Sequence, residues 1–215
     1  MSVKAVIFDM DGVLVEAKEW HYAALNQALN LFGFEINSYD HVTIYDGLPT
    51  NKKLEMLSAS SNLPPALHEF INKMKQIYTM EFIRKYCVPR EIHQEALSKL
   101  QNEGYCLALA SNSIKKTVDT MMKKVELAPY FEFMLSCEQV SHPKPAPDIY
   151  EKAIQELGLK PSECLVVEDH EYGVQAAKAA GANVMIVKTL DDVNYSNIKA
   201  NIARIEANNL REKTE

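Results

Sequence analysis

The stretch Val6–Leu14, VIFDMDGVL, decides the predicted fold. It completes an apolar run that begins at Val3, which is too short for a helix and typical of a buried strand. Two carboxylates, Asp9 and Asp11, follow one residue apart. Like charges about 4 Å apart cost about 4 kcal/mol at an effective dielectric of 20. Because residues i and i+2 of an extended segment point the same way, we expect both carboxylates to face one cation-binding site.

Short apolar runs with turn residues at their ends recur along the chain. They are Val3–Phe8, Cys106–Ala110, Phe133–Leu135, Cys164–Val167 and Val184–Val187. Between the later runs, the segments 118–125 and 150–157 carry apolar residues at i, i+3, i+4 and i+7, which is typical of helices. Strands that alternate with helices predict an α/β fold, with a Rossmann-like parallel sheet covered on both faces.

The alternation of strands and helices is interrupted by the segment 16–88, which contains no strand pattern. Its apolar spacing predicts three helices, around Trp20–Phe32, Leu54–Leu57 and Ile71–Phe82. We therefore predict a core domain of residues 1–15 and 89–215, with residues 16–88 inserted after the first strand as a helical-bundle domain. After Ile205 the chain loses apolar residues, and we expect its end to fray.

Composition limits the classes of partner. The net charge of −6 and the pI of about 5.6 argue against general affinity for nucleic acid or anionic membranes. No apolar run approaches the roughly 18 residues of a membrane helix, and no leader pattern precedes the first strand. The four cysteines form no CxxC pair, which favours free thiols. We expect a cytoplasmic monomer that acts on a small molecule.

Polar side chains follow the predicted strands. Ligands bind at the carboxyl ends of strands in open parallel sheets, so these side chains should converge. They are Asp9, Asp11, Ser111, Asn112, Ser113, Lys144, Glu168 and Asp169. All-oxygen acidic ligands suit Mg²⁺. A hydroxyl, a lysine and backbone N–H groups near a helix N-terminus suit phosphate. The set therefore indicates a phosphoryl-transfer site.

Each of these signals has a structural alternative when taken alone. Asp9-Met10-Asp11 fits a solvated turn, and Ser111-Asn112-Ser113 fits a helix N-cap. Lys144 between two prolines fits a surface loop, and Glu168-Asp169 fits a helix cap. Their order along the chain, each just beyond a strand or in the adjoining loop, favours the site.

The sequence resembles the haloacid dehalogenase superfamily, in the branch with a helical cap inserted after the first strand. FDMDGVL matches its first motif, ALASNS the second, KPAPDIY the third and VVEDHEYGVQAAKAAG the fourth. The four motifs occur in the family's order, and the resemblance covers nearly the whole chain. The helical stretch 16–88 lies where that branch carries its cap.

The resemblance implies a role for each matching residue. Asp9 would be the nucleophile that forms an aspartyl-phosphate, and Asp11 the general acid and base. Ser111, Asn112 and Lys144 would hold the phosphate. Mg²⁺ would bind the Asp9 carboxylate, the Asp11 backbone carbonyl and Asp169, with Glu168 in support.

Asp11 distinguishes reaction types within the superfamily. Dehalogenases and phosphonatases lack this second aspartate, so the resemblance implies a phosphatase or a phosphomutase. His21 matches a cap-hinge histidine of the β-phosphoglucomutase group, or else simply belongs to a cap helix. Thr50 stands where mutases carry a phosphate-gripping arginine, and Lys75 is one position out of register with an expected lysine. We therefore favour a Mg²⁺-dependent phosphatase, with a sugar phosphomutase as the alternative.

Two rivals from other classes fit less well. A response-regulator receiver carries its lysine last and has no helical insert, and a non-catalytic regulatory protein on this fold usually loses a catalytic residue. The predicted substrate is a small phosphorylated metabolite, a sugar or polyol phosphate. The predicted substrate pocket lies in the cap and includes His21, Tyr45, Gly47, Leu48, Thr50, Asn51 and Lys75.

Overall fold

The structure, a computed structural model, describes residues 2–211 and forms two compact units. The core unit consists of residues 1–16 and 88–215, and the helical unit of residues 17–87. Both junctions lie one residue inside the predicted insertion 16–88. That the two units are separate domains stays a prediction.

A parallel five-stranded sheet forms the centre of the core unit. Its strands are β1 (Ala5–Phe8), β2 (Cys106–Ala110), β3 (Phe133–Leu135), β4 (Cys164–Glu168) and β5 (Asn183–Ile186). Their order in the sheet is β3-β2-β1-β4-β5, so β1 lies at the middle. Every neighbouring pair is parallel, and Ile7 of β1 faces Ala108 on one side and Val166 on the other. The prediction of an α/β, Rossmann-like parallel-sheet fold is confirmed.

Helices account for most of the remaining described chain. They are α1 (Lys18–Asn30), α2 (Ser38–Asp40), α3 (Thr50–Ser61), α4 (His68–Tyr86), α5 (Glu91–Asn102), α6 (Lys115–Lys124), α7 (Asp148–Glu156), α8 (Glu171–Ala179) and α9 (Tyr195–Arg211). Within the described residues, none of them has the length and hydropathy of a membrane-spanning helix.

Both faces of the sheet are buried. Ala5 and Ile7 of β1 belong to one apolar cluster with residues of α7 and α8. Val6 and Phe8 point to the opposite face and are also fully buried. On the core unit's outer layer, α5 packs against α9 and contacts β2. This double coverage explains why the strands are nearly continuous apolar runs.

The helical unit contains no strand among its described residues, as predicted. Helices α1 and α4 pack along each other, and α3 packs against α4. Their core includes Leu25, Leu29, Leu54 and Ile71, which are all buried. A single π-helical turn at His41–Tyr45, which the sequence pattern did not predict, lies between α2 and α3.

Two further differences concern the core unit. The sequence prediction contained no helix at α5, whose buried face consists of His93, Ala96, Leu97 and Leu100. That imidazole is tolerated because its Nε2 lies 2.9 Å from the Leu190 carbonyl oxygen. Helix α9 continues to Arg211, past Ile205, after which we expect fraying, and Ile198 and Ile202 of this helix are buried in the core. Residues 212–215 lie outside the described residues.

The central strand should carry a large share of the stability of the core unit. Ile7→Ala should lower the free energy of unfolding by about 2–5 kcal/mol, because Ile7 is fully buried between two strands and a helix layer. Urea unfolding followed by circular dichroism measures this loss. The matched control is Ile186→Ala in edge strand β5, where the side chain is 60% exposed and we expect a change of about 0.5 kcal/mol. Equal losses at the two positions would contradict the assignment of the core.

Candidate active site

The candidate site lies at the carboxyl edge of the sheet, where β1 passes between β2 and β4. Strands β2 and β3 lie on one side of β1, and β4 and β5 lie on the other, which makes this edge a topological switch point. Asp9 directly follows β1, and its amide donates to the Val167 carbonyl of β4 at 3.0 Å. Ser111 directly follows β2, and its amide donates to the Leu135 carbonyl of β3 at 3.1 Å. The sheet thereby places residues that are about 100 positions apart next to each other.

A tight turn follows Asp9, so the chain does not continue as the extended segment that we predicted. The Met10 carbonyl accepts hydrogen bonds from the amides of Leu14 and Val15, at 2.9 and 3.0 Å. Gly12 has a positive φ of 86°, which a glycine adopts without strain. Asp11 lies at the start of this turn, and its Oδ2 accepts a hydrogen bond from the Ser113 hydroxyl at 3.0 Å.

Lys144 is the cation at the centre of the site, although its sequence context suggested a surface loop. The residue is only 4% exposed. Its Nζ lies 2.6 Å from Asp9 Oδ1 and 2.7 Å from Glu168 Oε1. The same nitrogen also contacts the Ala110 carbonyl at 2.9 Å and the Tyr150 hydroxyl at 2.8 Å. The ammonium therefore balances two buried carboxylates that would otherwise repel each other.

Burial shifts the pKa values of this cluster. It raises the pKa of Asp9 well above its usual range, and Lys144 only partly opposes this effect. Burial by itself would lower the pKa of Lys144, but Asp9 and Glu168 outweigh it and raise that pKa. Burial, followed by the Glu168 carboxylate, raises the pKa of Tyr150 well above its usual value. Tyr150 therefore keeps its proton, and the lysine keeps its charge.

Both carboxylate oxygens of Glu168 accept hydrogen bonds, and a helix packs against the carboxylate. Its Oε1 accepts from Lys144 and, at 2.5 Å, from the Tyr150 hydroxyl. Its Oε2 accepts from the amide of Asp169 at 3.1 Å. Gly173 of α8 packs directly against this carboxylate, and a Cβ at that position would overlap its atoms. The absence of a side chain at Gly173 makes room for Glu168.

Asn112 holds the backbone of Lys144. Its side-chain Oδ1 accepts from the Lys144 amide at 3.0 Å, and its Nδ2 donates to the Lys144 carbonyl at 3.3 Å. The Ser113 amide donates to the buried Ser111 hydroxyl at 3.0 Å. The Asn112 side chain thus orients the lysine loop, and a phosphate contact from Asn112 stays a prediction.

Three carboxylates could hold a cation. Asp9, Glu168 and Asp169 each present an oxygen, and these oxygens lie within 4.8 Å of one another. Hard oxygen donors are the ligands that Mg²⁺ prefers, so this donor set fits that ion. Ser111 is fully buried at the neighbouring strand end. The predicted core-unit residues thus converge at one edge of the sheet.

The predicted cap residues lie in the helical unit. Lys75 of α4 is buried, and its Nζ lies 3.4 Å from Nδ1 of His21 in α1. The two side chains are in contact, although Lys75 is one position out of register with the lysine expected from the mutase pattern. Gly47 has a positive φ of 69° in the loop before α3, and Thr50 is the first residue of that helix.

Two residues of the site, Tyr150 and Gly173, were missed by sequence reasoning, and the hydroxyl of Ser113 was assigned no role. Tyr150 fitted the apolar stripe of α7, and its hydroxyl gave no separate signal. Gly173 offered a usable signal, because a glycine inside a helix is costly and suggests close packing. At Ser113 we considered only the backbone amide and assigned no role to the hydroxyl.

Comparison with known proteins agrees with this geometry. A model of the family described as haloacid dehalogenase-like hydrolase matches residues 6–187. The chain belongs to this family. It is 31% identical to protein CbbY of Rhodobacter capsulatus, over 86% of each chain. It is 29% identical to a phosphorylated carbohydrates phosphatase of Thermotoga maritima, over 88% of each chain.

Comparison with solved structures shows a shared fold. The structure of β-phosphoglucomutase from Clostridium difficile matches with a TM-score of 0.82 at 18% identity, over 95% of this chain and 99% of that one. The predicted resemblance to haloacid dehalogenase hydrolases of the phosphatase and mutase branch is confirmed. The family and its phosphatase relatives also confirm the prediction of an enzyme of the phosphatase class.

Gly173→Ala tests the packing of Glu168. An alanine inside a helix normally stabilises it by up to about 1 kcal/mol relative to glycine. Here we expect the opposite sign, with a loss of about 1–3 kcal/mol, because the new Cβ displaces a buried carboxylate. Urea unfolding measures the change, and Gln175→Ala on the exposed side of α8 is the control. A stabilised Gly173→Ala protein would contradict the described packing.

Proposed function

We propose that this chain is a Mg²⁺-dependent phosphatase that hydrolyses a small sugar or polyol phosphate through an aspartyl-phosphate on Asp9. The observation that carries the proposal is the buried Lys144 ammonium, 2.6 Å from the Asp9 carboxylate at the switch point of the sheet. A strand-end carboxylate beside a fixed cation suits nucleophilic attack on phosphorus, because the cation stabilises the charge that develops on the phosphoryl oxygens.

Two steps account for the hydrolysis. In the first, an oxygen of Asp9 attacks phosphorus as the bond to the ester oxygen breaks, and Asp11 gives its proton to that leaving oxygen. In the second, Asp11 takes a proton from water as the water oxygen attacks phosphorus, which releases inorganic phosphate and restores the Asp9 carboxylate. The hydrogen bond from Ser113 to Asp11 supports this role, because it orients the proton-transfer group.

The remaining residues of the core unit position and neutralise the phosphate. Lys144 and the Ser111 hydroxyl would contact its oxygens, and Asn112 would hold the lysine loop in place. Asp9, Glu168 and Asp169, with the Asp11 carbonyl, would hold Mg²⁺. When bound, the ion would supply positive charge that offsets the phosphate and the acidic cluster.

We further propose that the helical unit serves as the cap and selects the substrate. Within it, the buried Lys75 amine beside His21 offers hydrogen-bond donors suited to hydroxyl or phosphate groups of a sugar. The phosphorylated carbohydrates phosphatase of Thermotoga maritima supports this substrate class. Thr50, in place of a phosphate-gripping arginine, favours net hydrolysis over a mutase reaction that must hold both ends of a bisphosphate.

The nucleophile can be tested with a panel of sugar and polyol phosphates in the presence of MgCl₂. Asp9→Asn should lower kcat on the order of a thousand-fold or more, because an amide is a poor nucleophile for phosphorus. Asp119→Asn, at a partly exposed side chain of α6, is the matched control and should retain wild-type turnover. Released phosphate measures the rate. Full activity in Asp9→Asn would refute the assignment of the nucleophile.

The same panel separates a phosphatase from a mutase. A phosphatase releases inorganic phosphate from β-glucose 1-phosphate or another ester. Formation of glucose 6-phosphate without net phosphate release would instead establish the mutase reaction.

Removal of the metal gives an independent test. Treatment with EDTA should abolish phosphate release, and added MgCl₂ should restore it. Because an ion that binds only the folded state stabilises it, MgCl₂ should also raise the melting temperature of the wild type. That rise should shrink in Asp169→Asn, which loses one carboxylate of the cluster. Hydrolysis that persists in EDTA would rule out the metal requirement.

A further inference from the structure

Tyr150 is the fully buried residue of the site to which the proposed reaction assigns no role. It lies on α7, and its hydroxyl contacts Lys144 Nζ at 2.8 Å and Glu168 Oε1 at 2.5 Å. Burying a phenol group is costly unless the hydroxyl is hydrogen-bonded, and an apolar ring would fill the same space. The two contacts give this hydroxyl a specific environment.

The direction of both hydrogen bonds follows from the chemistry of the partners. An ammonium has no lone pair, so Lys144 donates and the Tyr150 oxygen accepts. The hydrogen of Tyr150 then points to the Glu168 carboxylate, which is the acceptor at 2.5 Å. Tyr150 thus accepts from the lysine and donates to the glutamate at the same time.

Lys144 faces more acceptors than it has hydrogens. Its three N–H groups lie near four acceptor atoms, which are Asp9 Oδ1, Glu168 Oε1, the Ala110 carbonyl and the Tyr150 hydroxyl. A phosphate oxygen would be a fifth acceptor. Each strong acceptor near Lys144 therefore weakens the hydrogen bond that the lysine can donate to a phosphate oxygen.

We propose that Tyr150 is a positioning residue that keeps Lys144 available to phosphate by donating a second hydrogen bond to Glu168 Oε1, a stronger acceptor than its own hydroxyl oxygen, so that this carboxylate holds the lysine less tightly. The inference rests on the proposed function, since it concerns how strongly the same site holds a phosphoryl group. Without the Tyr150 hydroxyl, Glu168 Oε1 loses one of these two donors, so it attracts the Lys144 ammonium more strongly and draws it toward β4. The lysine then stabilises the phosphate oxygens less well.

Tyr150→Phe removes the hydroxyl and keeps the ring. Calorimetric titration with inorganic phosphate in MgCl₂ should show about ten-fold weaker binding than in the wild type. The reason is that Glu168 loses the hydrogen bond from Tyr150 and attracts Lys144 away from the phosphate. In turnover with the ester that the wild type hydrolyses, kcat/KM should fall by a similar factor. Circular dichroism and a cooperative melt establish that the variant is folded.

Tyr105→Phe is the matched control. It removes a tyrosine hydroxyl in the same unit, just before β2 at the amino edge of the sheet, where that hydroxyl accepts a hydrogen bond from Lys199 at 2.9 Å. Its phosphate affinity should equal that of the wild type. Phosphate affinity in Tyr150→Phe that equals or exceeds the wild-type value overturns the proposal.

A double-mutant cycle tests whether Tyr150 acts through Glu168. In a Glu168→Gln background the competing charge is gone, so adding Tyr150→Phe should change the phosphate affinity by less than about two-fold. An equal loss in both backgrounds means that the hydroxyl acts independently of Glu168, which overturns the proposal.

The outcomes separate this inference from the proposed function. A wild type that binds phosphate but hydrolyses no ester refutes the phosphatase, while the affinity ratio still decides the role of Tyr150. A wild type that hydrolyses esters, with an unchanged affinity in Tyr150→Phe, refutes only the positioning role. A wild type that binds no phosphate refutes both.

Discussion

A lysine ammonium held between two carboxylates in the interior of the core unit is the interaction on which the site depends. Lys144 is 4% exposed and Glu168 is 1% exposed, so neither charge is stabilised by water. Taking one charge of such a cluster away would leave the others buried and uncompensated, at a cost of several kcal/mol. The surrounding structure therefore serves to keep these groups in contact. Asn112 fixes the lysine backbone, Tyr150 bridges lysine to glutamate, and Gly173 leaves room for the glutamate.

The topology of the sheet explains why the cluster forms where it does. A parallel sheet has all its strand ends of one kind at the same edge, and the reversal of strand order at β1 opens a crevice there. Asp9 therefore lies between the ends of β2 and β4 without any local sequence relationship to Ser111 or Glu168. Because the strands on both sides are buried, their ends are rigid, and a rigid site can hold charges close together without reorganisation.

Several features could be predicted from the sequence because they depend on local pattern. The five apolar runs correspond to the five strands within about two residues, and the lack of strand pattern in 16–88 corresponds to the helical unit. Because the polar residues directly follow the strands or lie in the adjoining loops, their positions in the sequence were enough to predict that they lie at one edge of the sheet. The missed elements depend on long-range packing. Helix α5 is one of them, and its buried face includes the polar His93. The other is the turn at Met10, which replaces an extended segment because several backbone amides donate to the Met10 carbonyl.

The sequence alone determined the family, the parallel sheet and the identity of the acidic and basic groups, because motif order and hydrophobic period are written along the chain. Only the tertiary structure decided how those groups share their hydrogen bonds. The partners of Lys144 come from the end of β1, from β2 and from β4, which are 24 or more positions away, and from the nearby α7. Only their packing shows that one ammonium faces four acceptors. The roles of Tyr150 and Gly173 became visible for the same reason. A hydroxyl in an apolar stripe and a glycine in a helix acquire meaning only from the side chain that lies against them.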